Sequence, residues 1–234
     1  MEKWEDNRWN YIEALKTSFL FRDLDSDILE VISDNFKLEK LDRNSSINST
    51  RKLQNYFYFI ISGKVKAYTI DRGSGREYTL AILAKDDVFD LLCLLEDCEH
   101  NTYFEALANT VLLFAPMSRM RGWIGEYPVI NRNLFPYLGK RLREMEQYAT
   151  SMRLSIPTRL AWLILYHING QSQKLELIND LSNEELAGLV GTSRAVVNRH
   201  LQNFKSDGTL YIGRKKIEIK NLQLLLKRIE KDDF

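Results

Sequence analysis

The amino-acid sequence predicts an α+β fold, in which an antiparallel β domain is followed by a long helix and then by a small helical domain. Three observations carry this prediction. Short apolar runs separated by turn residues fill positions 37–115, a helical stripe begins after Pro128, and two short amphipathic segments meet at Gly191. Many short strands with turn signals are typical of a β-sandwich, a roll or a barrel.

The composition is that of a folded protein with a hydrophobic core. Hydrophobic residues make up 44% of the 234 residues and charged residues 28%, which excludes an intrinsically disordered chain. The formal net charge is +1, but residues 155–234 carry 12 Lys and Arg against 9 Asp and Glu. This positive excess is consistent with an anionic partner at the C-terminal end.

We expect the chain to be cytoplasmic and without a membrane partner. Its first residues, Met1 to Asp6, are charged and lack the apolar core of a signal peptide. No apolar run approaches the roughly 18–20 residues that cross a bilayer. Only two cysteines occur, Cys93 and Cys98, which are too few for a disulfide framework.

Helices and then strands are predicted in the first 115 residues. Residues 4–36 place apolar side chains at helical intervals, and Asp25-Ser26-Asp27 offers capping residues for a second helix. Four runs rich in β-branched and aromatic residues are predicted strands: Tyr56–Ile61, Val65–Ile70, Tyr78–Leu83 and Val111–Phe114. Ser62-Gly63, Arg72–Gly75 and Lys85–Asp87 are the turns between them.

The long helix after Pro128 carries a narrow apolar stripe. The members of the stripe, spaced in steps of three and four, are Phe135, Leu138, Leu142, Met145, Ala149, Met152 and Ile156. A helix lying on its own domain could show this spacing. The narrow stripe and its charged flanks favour a seam between two identical helices, and hence a homodimer.

Ser155-Ile156-Pro157 interrupts the helical pattern. Proline disfavours helical backbone in the residue before it and is tolerated in the first turn of the next helix. We therefore expect helices and strands at 1–127, a dimerisation helix and hinge at 128–156, and a third domain at 157–234. A short strand is also expected at Lys174–Ile178.

Residues 182–208 predict two helices joined by a glycine turn. Ser182 and Glu185 have the spacing of a capping box, and Gly191 ends the first helix because glycine tolerates positive φ. Thr192 or Ser193 then caps the second helix. The apolar stripe of that helix is Val197, Leu201 and Phe204. The residues on its outer face are Arg194, Ala195, Asn198, Arg199 and Gln202.

This arrangement is a helix-turn-helix, whose second helix can enter the major groove of DNA. The helix N-terminus and the hydroxyls of Thr192 and Ser193 are expected to bind phosphate. Arg199 is expected to pair with a guanine, and Arg194 to contact a base or a phosphate.

A β-hairpin with a basic tip follows the two helices. Thr209–Ile212 and Ile217–Ile219 are its predicted strands, and Arg214, Lys215 and Lys216 lie in its turn. Three cations with no carboxylate neighbour in the turn are expected to contact DNA phosphates. The alternative is a helical hairpin with a solvated charged face and no DNA partner.

With these motifs in place, the chain resembles the Crp/Fnr transcription regulators. The motifs that carry the resemblance occur in the family's order: Ile60–Lys66, the hairpin Gly73–Glu77, the long helix, and Leu186–Arg199. The resemblance extends from about Phe19 to Asn221, and its DNA-binding segment is the most specific part. Among such proteins both activators and repressors occur.

The resemblance implies an N-terminal β-roll like that of cyclic-nucleotide receptors, a long dimerisation helix and a C-terminal winged helix-turn-helix domain. It implies that the partners are double-stranded DNA with an inverted-repeat operator, a second copy of the chain, and RNA polymerase. An enzymatic activity and a cofactor are not expected.

The recognition helix departs from the family pattern Ser-Arg-Glu-Thr-Val. The glutamate position is Ala195 and the threonine position is Val196, so no carboxylate is available to accept from cytosine N4. Ala195 can instead touch a thymine methyl, and Asn198 can reach adenine.

The effector segment, residues 90–102, departs further from the family pattern. Relatives that bind cyclic nucleotides carry a Gly-Glu-Leu segment and, later, an Arg-Ser or Arg-Thr pair. By position Leu91 replaces the glutamate, Asn101 replaces the arginine, and only Thr102 keeps a hydroxyl. A cyclic phosphate would lack its charge-assisted partner. We therefore expect no response to cyclic AMP, with a closed pocket and an unrecognised ligand both open.

Two other functions are alternatives to DNA binding. A metalloenzyme needs a ligand cluster, yet only His100, His167 and His200 occur, and Cys93, Cys98 and His100 are short of a four-ligand zinc site. We expect the cysteines to be packed or half-exposed thiols. The second alternative is a ligand-binding or interaction protein whose helix-turn-helix no longer binds DNA.

Overall fold

The computed structural model describes residues 8–47, 50–73, 75, 77–96, 101–168, 175, 177–213 and 216–230. The helices are α1 (Arg8–Thr17), α2 (Ser26–Ser33), α3 (Thr50–Asn55), α4 (Leu91–Glu96), α5 (Met117–Glu126), α6 (Pro128–Ser151), α7 (Ile156–Tyr166), α8 (Asn183–Val190), α9 (Arg194–Ser206) and α10 (Leu222–Glu230). The strands are β1 (Lys37–Leu41), β2 (Ser46–Ile47), β3 (Tyr56–Ser62), β4 (Lys64–Ile70), β5 (Glu77–Ala84), β6 (Val88–Phe89), β7 (Tyr103–Ala106), β8 (Thr110–Pro116), β9 (Leu210–Gly213) and β10 (Lys216–Ile219). Of the helices described, none combines the length and the apolar composition that a membrane span requires.

Two four-stranded sheets form the β domain, and a separate hairpin joins β9 to β10. The strand orders are β1-β8-β3-β6 and β2-β7-β4-β5. The pairs β1–β8, β3–β8, β3–β6, β2–β7 and β4–β7 are antiparallel. The predicted α+β fold is therefore confirmed. The chain divides into two compact units, residues 1–69 with 81–142 and residues 70–80 with 143–234.

Strand β3 is buried on both faces, which explains its unbroken apolar sequence. Phe57, Phe59 and Ile61 belong to a cluster that includes residues of α1, α2, α5 and α6, whereas Tyr58 and Ile60 belong to a second cluster with residues of β4, β7 and β8. Successive side chains of a strand point to opposite faces. A strand covered on both sides therefore reads as a continuous apolar run rather than as an alternation.

The predicted turn at Ser62-Gly63 follows a β-bulge between β3 and β8. Gly63 has φ 96°, and a Cβ there would lie 2.4 Å from Thr110 Oγ1. The Thr110 hydroxyl also accepts from Lys64 N at 3.2 Å and donates to Ala108 O at 2.8 Å. A side chain at position 63 would therefore break this turn.

The first half of α6 is fixed to the β5–β6 turn by a polar cluster around Tyr137. The Tyr137 hydroxyl lies 3.2 Å from Asp87 Oδ1, and Arg141 Nε donates to the same hydroxyl at 3.0 Å. Arg141 also pairs with Asp87 at 2.9 Å. Burial, with the Asp87 charge, raises the pKa of Tyr137 well above its ordinary value, so the phenol keeps its proton and the cluster stays intact at physiological pH.

The second unit contains the helix-turn-helix and the wing. Helix α7 packs on α10 and on α8, and α8 packs on α9. The fully buried side chains of this unit include Leu160, Ile164, Leu186, Val197, Phe204 and Leu225. Asp207, the C-cap of α9, pairs with Arg228 of α10, whose guanidinium lies 4.1 Å from the Phe204 ring centroid. The recognition helix is thereby fixed at its C-terminal end.

Two expectations about local structure are wrong. The long helix ends at Ser151, because Arg153 and Leu154 donate to the carbonyls three residues earlier. Ser155 occupies the N-cap position of the next helix, with Pro157 in its first turn. The expected strand at Lys174–Ile178 is also not observed in its described part, since residues 177–180 form turns.

Candidate DNA-binding surface

Helix α8 begins and ends as its sequence predicts. The Ser182 hydroxyl accepts from Glu185 N at 3.2 Å and the Glu185 carboxylate accepts from Ser182 N, which completes the capping box. Gly191 adopts φ 74°, and both its own N–H and that of Thr192 donate to Ala187 O. These local signals set the angle at which the second helix leaves the turn.

The buried and exposed faces of α9 are confirmed. Val197, Leu201 and Phe204 are buried at 0%, 2% and 0% exposure. The exposed residues of the helix start and outer face are Ser193, Arg194, Ala195, Asn198, Arg199 and Gln202. Thr192 in the turn is half-buried. All the residues predicted to reach base edges therefore lie on one exposed surface.

The first turn of α9 is available to an anion. Ser193 occupies the N-cap position, but its side chain makes no capping hydrogen bond within the described chain, contrary to the expected cap. No acidic residue lies in the first turn of this 13-residue helix. The first amides of a helix lack intrahelical acceptors and carry a positive partial charge. Helix starts of this kind are common anion-binding positions in proteins.

The recognition helix also contacts the start of α8. Asn183 Nδ2 donates to Asn198 Oδ1 at 3.1 Å. Sequence reasoning missed this contact, because the two residues are 15 positions apart and nothing local joins them. One amide atom of Asn198 is therefore already hydrogen-bonded within the protein.

Arg159 joins two backbone segments beside the turn. Its guanidinium donates to Leu154 O at 2.9 Å, to Val190 O at 3.2 Å, and to Met152 O. Val190 is the last residue of α8. Arg159 therefore ties the end of α8 to the segment between α6 and α7, a role that its sequence position alone did not reveal.

The wing is present, and its charges are partly paired. Lys216 Nζ lies 2.7 Å from Glu218 Oε1, and Lys220 Nζ lies 3.5 Å from Glu218 Oε2. The hydrogen bond from Lys216 lowers the pKa of Glu218 and keeps this carboxylate charged. Lys216, expected in the turn, is instead the first residue of β10. Its carboxylate partner lies on the same strand, because residues two apart on a strand share a face. Arg214 and Lys215 lie outside the described residues.

The predicted seam on α6 is exposed over its centre. Phe135, Leu142 and Met145 are 67%, 60% and 67% exposed, and Ala149 is exposed as well. Leu138 instead packs partly buried against the core of its own unit.

Met152 and Ile156 do not continue this seam, because α6 ends before them. Met152 lies in the following turn, where Arg159 contacts its sulfur, and Ile156 is the first residue of α7. The exposed stripe is therefore shorter than the sequence pattern predicts.

The effector segment contributes no cation of its own. Leu91 begins α4 and packs against the core, Asn101 is exposed, and Thr102 is half-buried just before β7. The buried cation on the adjacent strand, Lys66, forms an ion pair with Glu105 at 2.8 Å.

Only some of the residues considered for metal binding lie in the part of the chain that the structure describes. Cys93 is buried in α4, while Cys98 and His100 lie outside the described residues. His167 is half-buried in the second unit, where burial lowers its pKa to about 4. Over the ranges that the structure describes, no three His, Cys, Asp or Glu side chains are placed to hold a metal ion.

Comparison with known proteins finds a known domain family in each half of the chain. The cyclic nucleotide-binding domain matches residues 38–127, and the Crp-like helix-turn-helix domain matches residues 158–228. A β domain of the first kind joined to a helix-turn-helix of the second defines a transcription regulator. The chain belongs to the Crp/Fnr family of such regulators.

Individual relatives are similar to this chain over nearly its full length. The chain is 25% identical to the CRP-like cAMP-activated global transcriptional regulator of Mycobacterium tuberculosis, covering 92% of this chain and 98% of that protein. It is 27% identical to the cyclic AMP receptor protein of Thermus thermophilus, covering 90% and 96%. FixK2 from Bradyrhizobium japonicum has the same fold, with a TM-score of 0.70 at 21% identity over 82% of this chain and 96% of that chain.

Proposed function

We propose that this Crp/Fnr-type regulator binds an inverted-repeat operator as a homodimer and does so without cyclic AMP. The observation that carries the proposal is the outer face of α9. Arg194, Asn198 and Arg199 are exposed there together, beside a helix N-terminus with no acidic residue in its first turn. Direct readout in the major groove requires this combination of a phosphate-binding helix start and base-reaching side chains one turn later.

The exposed centre of α6 supports the homodimer. Phe135, Leu142 and Met145 are large apolar side chains exposed on a charged helix, and water disfavours such surface. Packing against the same side chains of a second copy removes that surface from water. Two helix-turn-helix units held in this way would read half-sites about one helical turn apart.

The effector segment supports independence from cyclic AMP. The two relatives quoted above are named for cyclic AMP, and their β domains match the one in this chain. The positions that would bind the ribose and the phosphate are here Leu91, Asn101 and Thr102, and Lys66 is neutralised by Glu105. An apolar residue and an uncharged amide cannot replace a carboxylate and a guanidinium.

DNA binding can be tested by fluorescence anisotropy, with an operator selected from a random library and with an unrelated duplex, at two salt concentrations. Wild-type affinity should fall with salt on both duplexes and be higher on the operator. Arg199→Ala should weaken operator binding by roughly 1–3 kcal/mol and relax preference at one base pair. Arg199→Lys should also relax the preference, because lysine does not pair bidentately.

Lys205→Ala is the matched control, since Lys205 is an exposed cation in the last turn of the same helix. It should leave the base preference unchanged. Equal weakening of Arg199→Ala on every sequence would make Arg199 a phosphate contact. If the wild type binds neither duplex, the protein is instead a ligand-binding or interaction protein built on this fold.

A further inference from the structure

The contact between Asn183 and Asn198 places a residue of α8 in control of a base-reading side chain on α9. Asn198 is exposed on the outer face of the recognition helix, and Asn183 is half-buried at the first position of α8. Their amides meet at 3.1 Å, with Asn183 Nδ2 as donor and Asn198 Oδ1 as acceptor.

An asparagine amide can present its oxygen and its nitrogen in two orientations that differ by a half-turn. The oxygen only accepts and the nitrogen only donates, so a fixed neighbour selects one orientation. The N-terminus of α8 carries a positive partial charge, which favours the oxygen of Asn183 on the helix side and its nitrogen toward Asn198. The oxygen of Asn198 is then held toward α8.

The orientation of this amide has a direct consequence for base recognition. Adenine offers a donor at N6 and an acceptor at N7, and an asparagine pairs with both only when its own oxygen and nitrogen are in the matching order. A·T and T·A pairs present these groups in opposite orders across the groove. An amide held in one orientation therefore distinguishes between them.

We infer that Asn183 is a specificity-determining positioning residue: it orients the Asn198 amide and thereby decides which base pair Asn198 recognises. This inference rests on the proposed DNA-binding function. Asn183 acts through Asn198 and requires no DNA contact of its own.

The test exchanges the donor at position 183 for an acceptor. In Asn183→Asp the carboxylate can only accept, so Asn198 must turn its nitrogen toward α8 and present its oxygen where the nitrogen was. Aspartate suits the first turn of a helix, where Glu184 and Glu185 already lie. Asn183→Ala removes the contact and leaves both orientations accessible.

Affinities are measured on four operators that differ only at the base pair read by Asn198. This base pair is identified as the one at which Asn198→Ala abolishes discrimination. The wild type should discriminate there roughly 5- to 100-fold. Asn183→Asp should prefer a different base pair, and Asn183→Ala should reduce the discrimination severalfold. Asn203→Asp makes the same chemical change at an exposed position of α9, and it should keep the wild-type preference.

The inference is overturned if Asn183→Asp and Asn183→Ala both retain the wild-type ranking of the four operators. It is also overturned if Asn183→Asp still changes the ranking in an Asn198→Ala background, because Asn183 would then read DNA itself. Thermal unfolding of each variant verifies folding, and the ratio of affinities cancels the uniform effect of the added charge. A wild type without any sequence preference would refute the proposed function instead.

Discussion

Arg159 Nη1 donates to the carbonyl oxygen of Val190 at 3.2 Å, and this bond joins α7 to the last residue of α8. The same guanidinium also reaches the carbonyls of Met152 and Leu154. A planar group with several fixed donors can satisfy three carbonyls at once, which an ammonium cannot. The position of the turn between α8 and α9 therefore depends on one side chain.

Arg159→Met should lower the free energy of unfolding by about 1–3 kcal/mol, because three backbone acceptors lose a charged donor. It should also weaken operator binding, since the start of α9 follows the end of α8. Urea unfolding and anisotropy measure the two effects. Arg153→Met, at a neighbouring exposed position, is the control, and an equal loss in both variants would contradict the structural role of Arg159.

Leu142→Glu combined with Met145→Glu should convert a dimer to a monomer and abolish tight operator binding. Carboxylates at the centre of an apolar seam would be buried without partners or would keep the helices apart. Sedimentation velocity and anisotropy measure both properties. Gln147→Glu with Thr150→Glu adds the same charge at exposed positions off the stripe and should leave the dimer intact. A monomer that retains full operator affinity would refute the seam.

Replacing Arg214, Lys215 and Lys216 by glutamine should flatten the dependence of binding on salt, by up to about one unit of slope per lost phosphate contact, and should leave base preference unchanged. Lys216→Gln alone should have a smaller effect, because Glu218 already neutralises Lys216. Glu218→Gln should steepen the slope by releasing this lysine. A slope that none of these changes alters would place the wing away from DNA.

Acidification should destabilise the fold through His167. Burial lowers its pKa to about 4 from an ordinary value of 6.5, so the unfolded state takes up a proton at a higher pH than the folded state. The stability that depends on neutral His167 is complete above pH 6.5 and is lost as the pH falls toward 4, by about 1–3 kcal/mol. His167→Gln should show a correspondingly smaller loss between pH 7 and pH 5 in urea titrations. Identical losses in both proteins would exclude His167 as the source.

Calorimetric titration with cyclic AMP and with cyclic GMP should show no binding at micromolar concentrations. Leu91 and Asn101 offer neither the carboxylate nor the cation that a cyclic nucleotide needs. The affinity for the operator selected from the random library should be unchanged when either nucleotide is added. Micromolar affinity for one of them would mean that other residues of the β domain form the pocket.

The helix-turn-helix was predictable because its signals are local. Ser182 with Glu185, Gly191, and the apolar spacing of α9 each depend on residues within one or two helical turns. The ion pair between Lys216 and Glu218 could have been predicted in the same way, from the two-residue period of a strand. The contact between Asn183 and Asn198 could not, because it depends on how two helices pack.

The long helix shows how a local pattern can mislead. The spacing from Phe135 to Ile156 is regular in sequence, yet the helix ends at Ser151, so the last two positions do not lie on the same face. Proline at 157 indicated an interruption, but spacing alone could not show that the helix ends six residues before this proline. Short strands such as β6, with two residues, carry too few side chains for any period to be recognised.

The two-sided burial of β3 constrains how the β domain can evolve. An internal position on this strand cannot become polar without leaving an unsatisfied group in one of the two cores, and it cannot become much larger without displacing neighbours on that face. Sequence change is therefore disfavoured at the buried positions of β3 and tolerated at exposed positions such as Asn101.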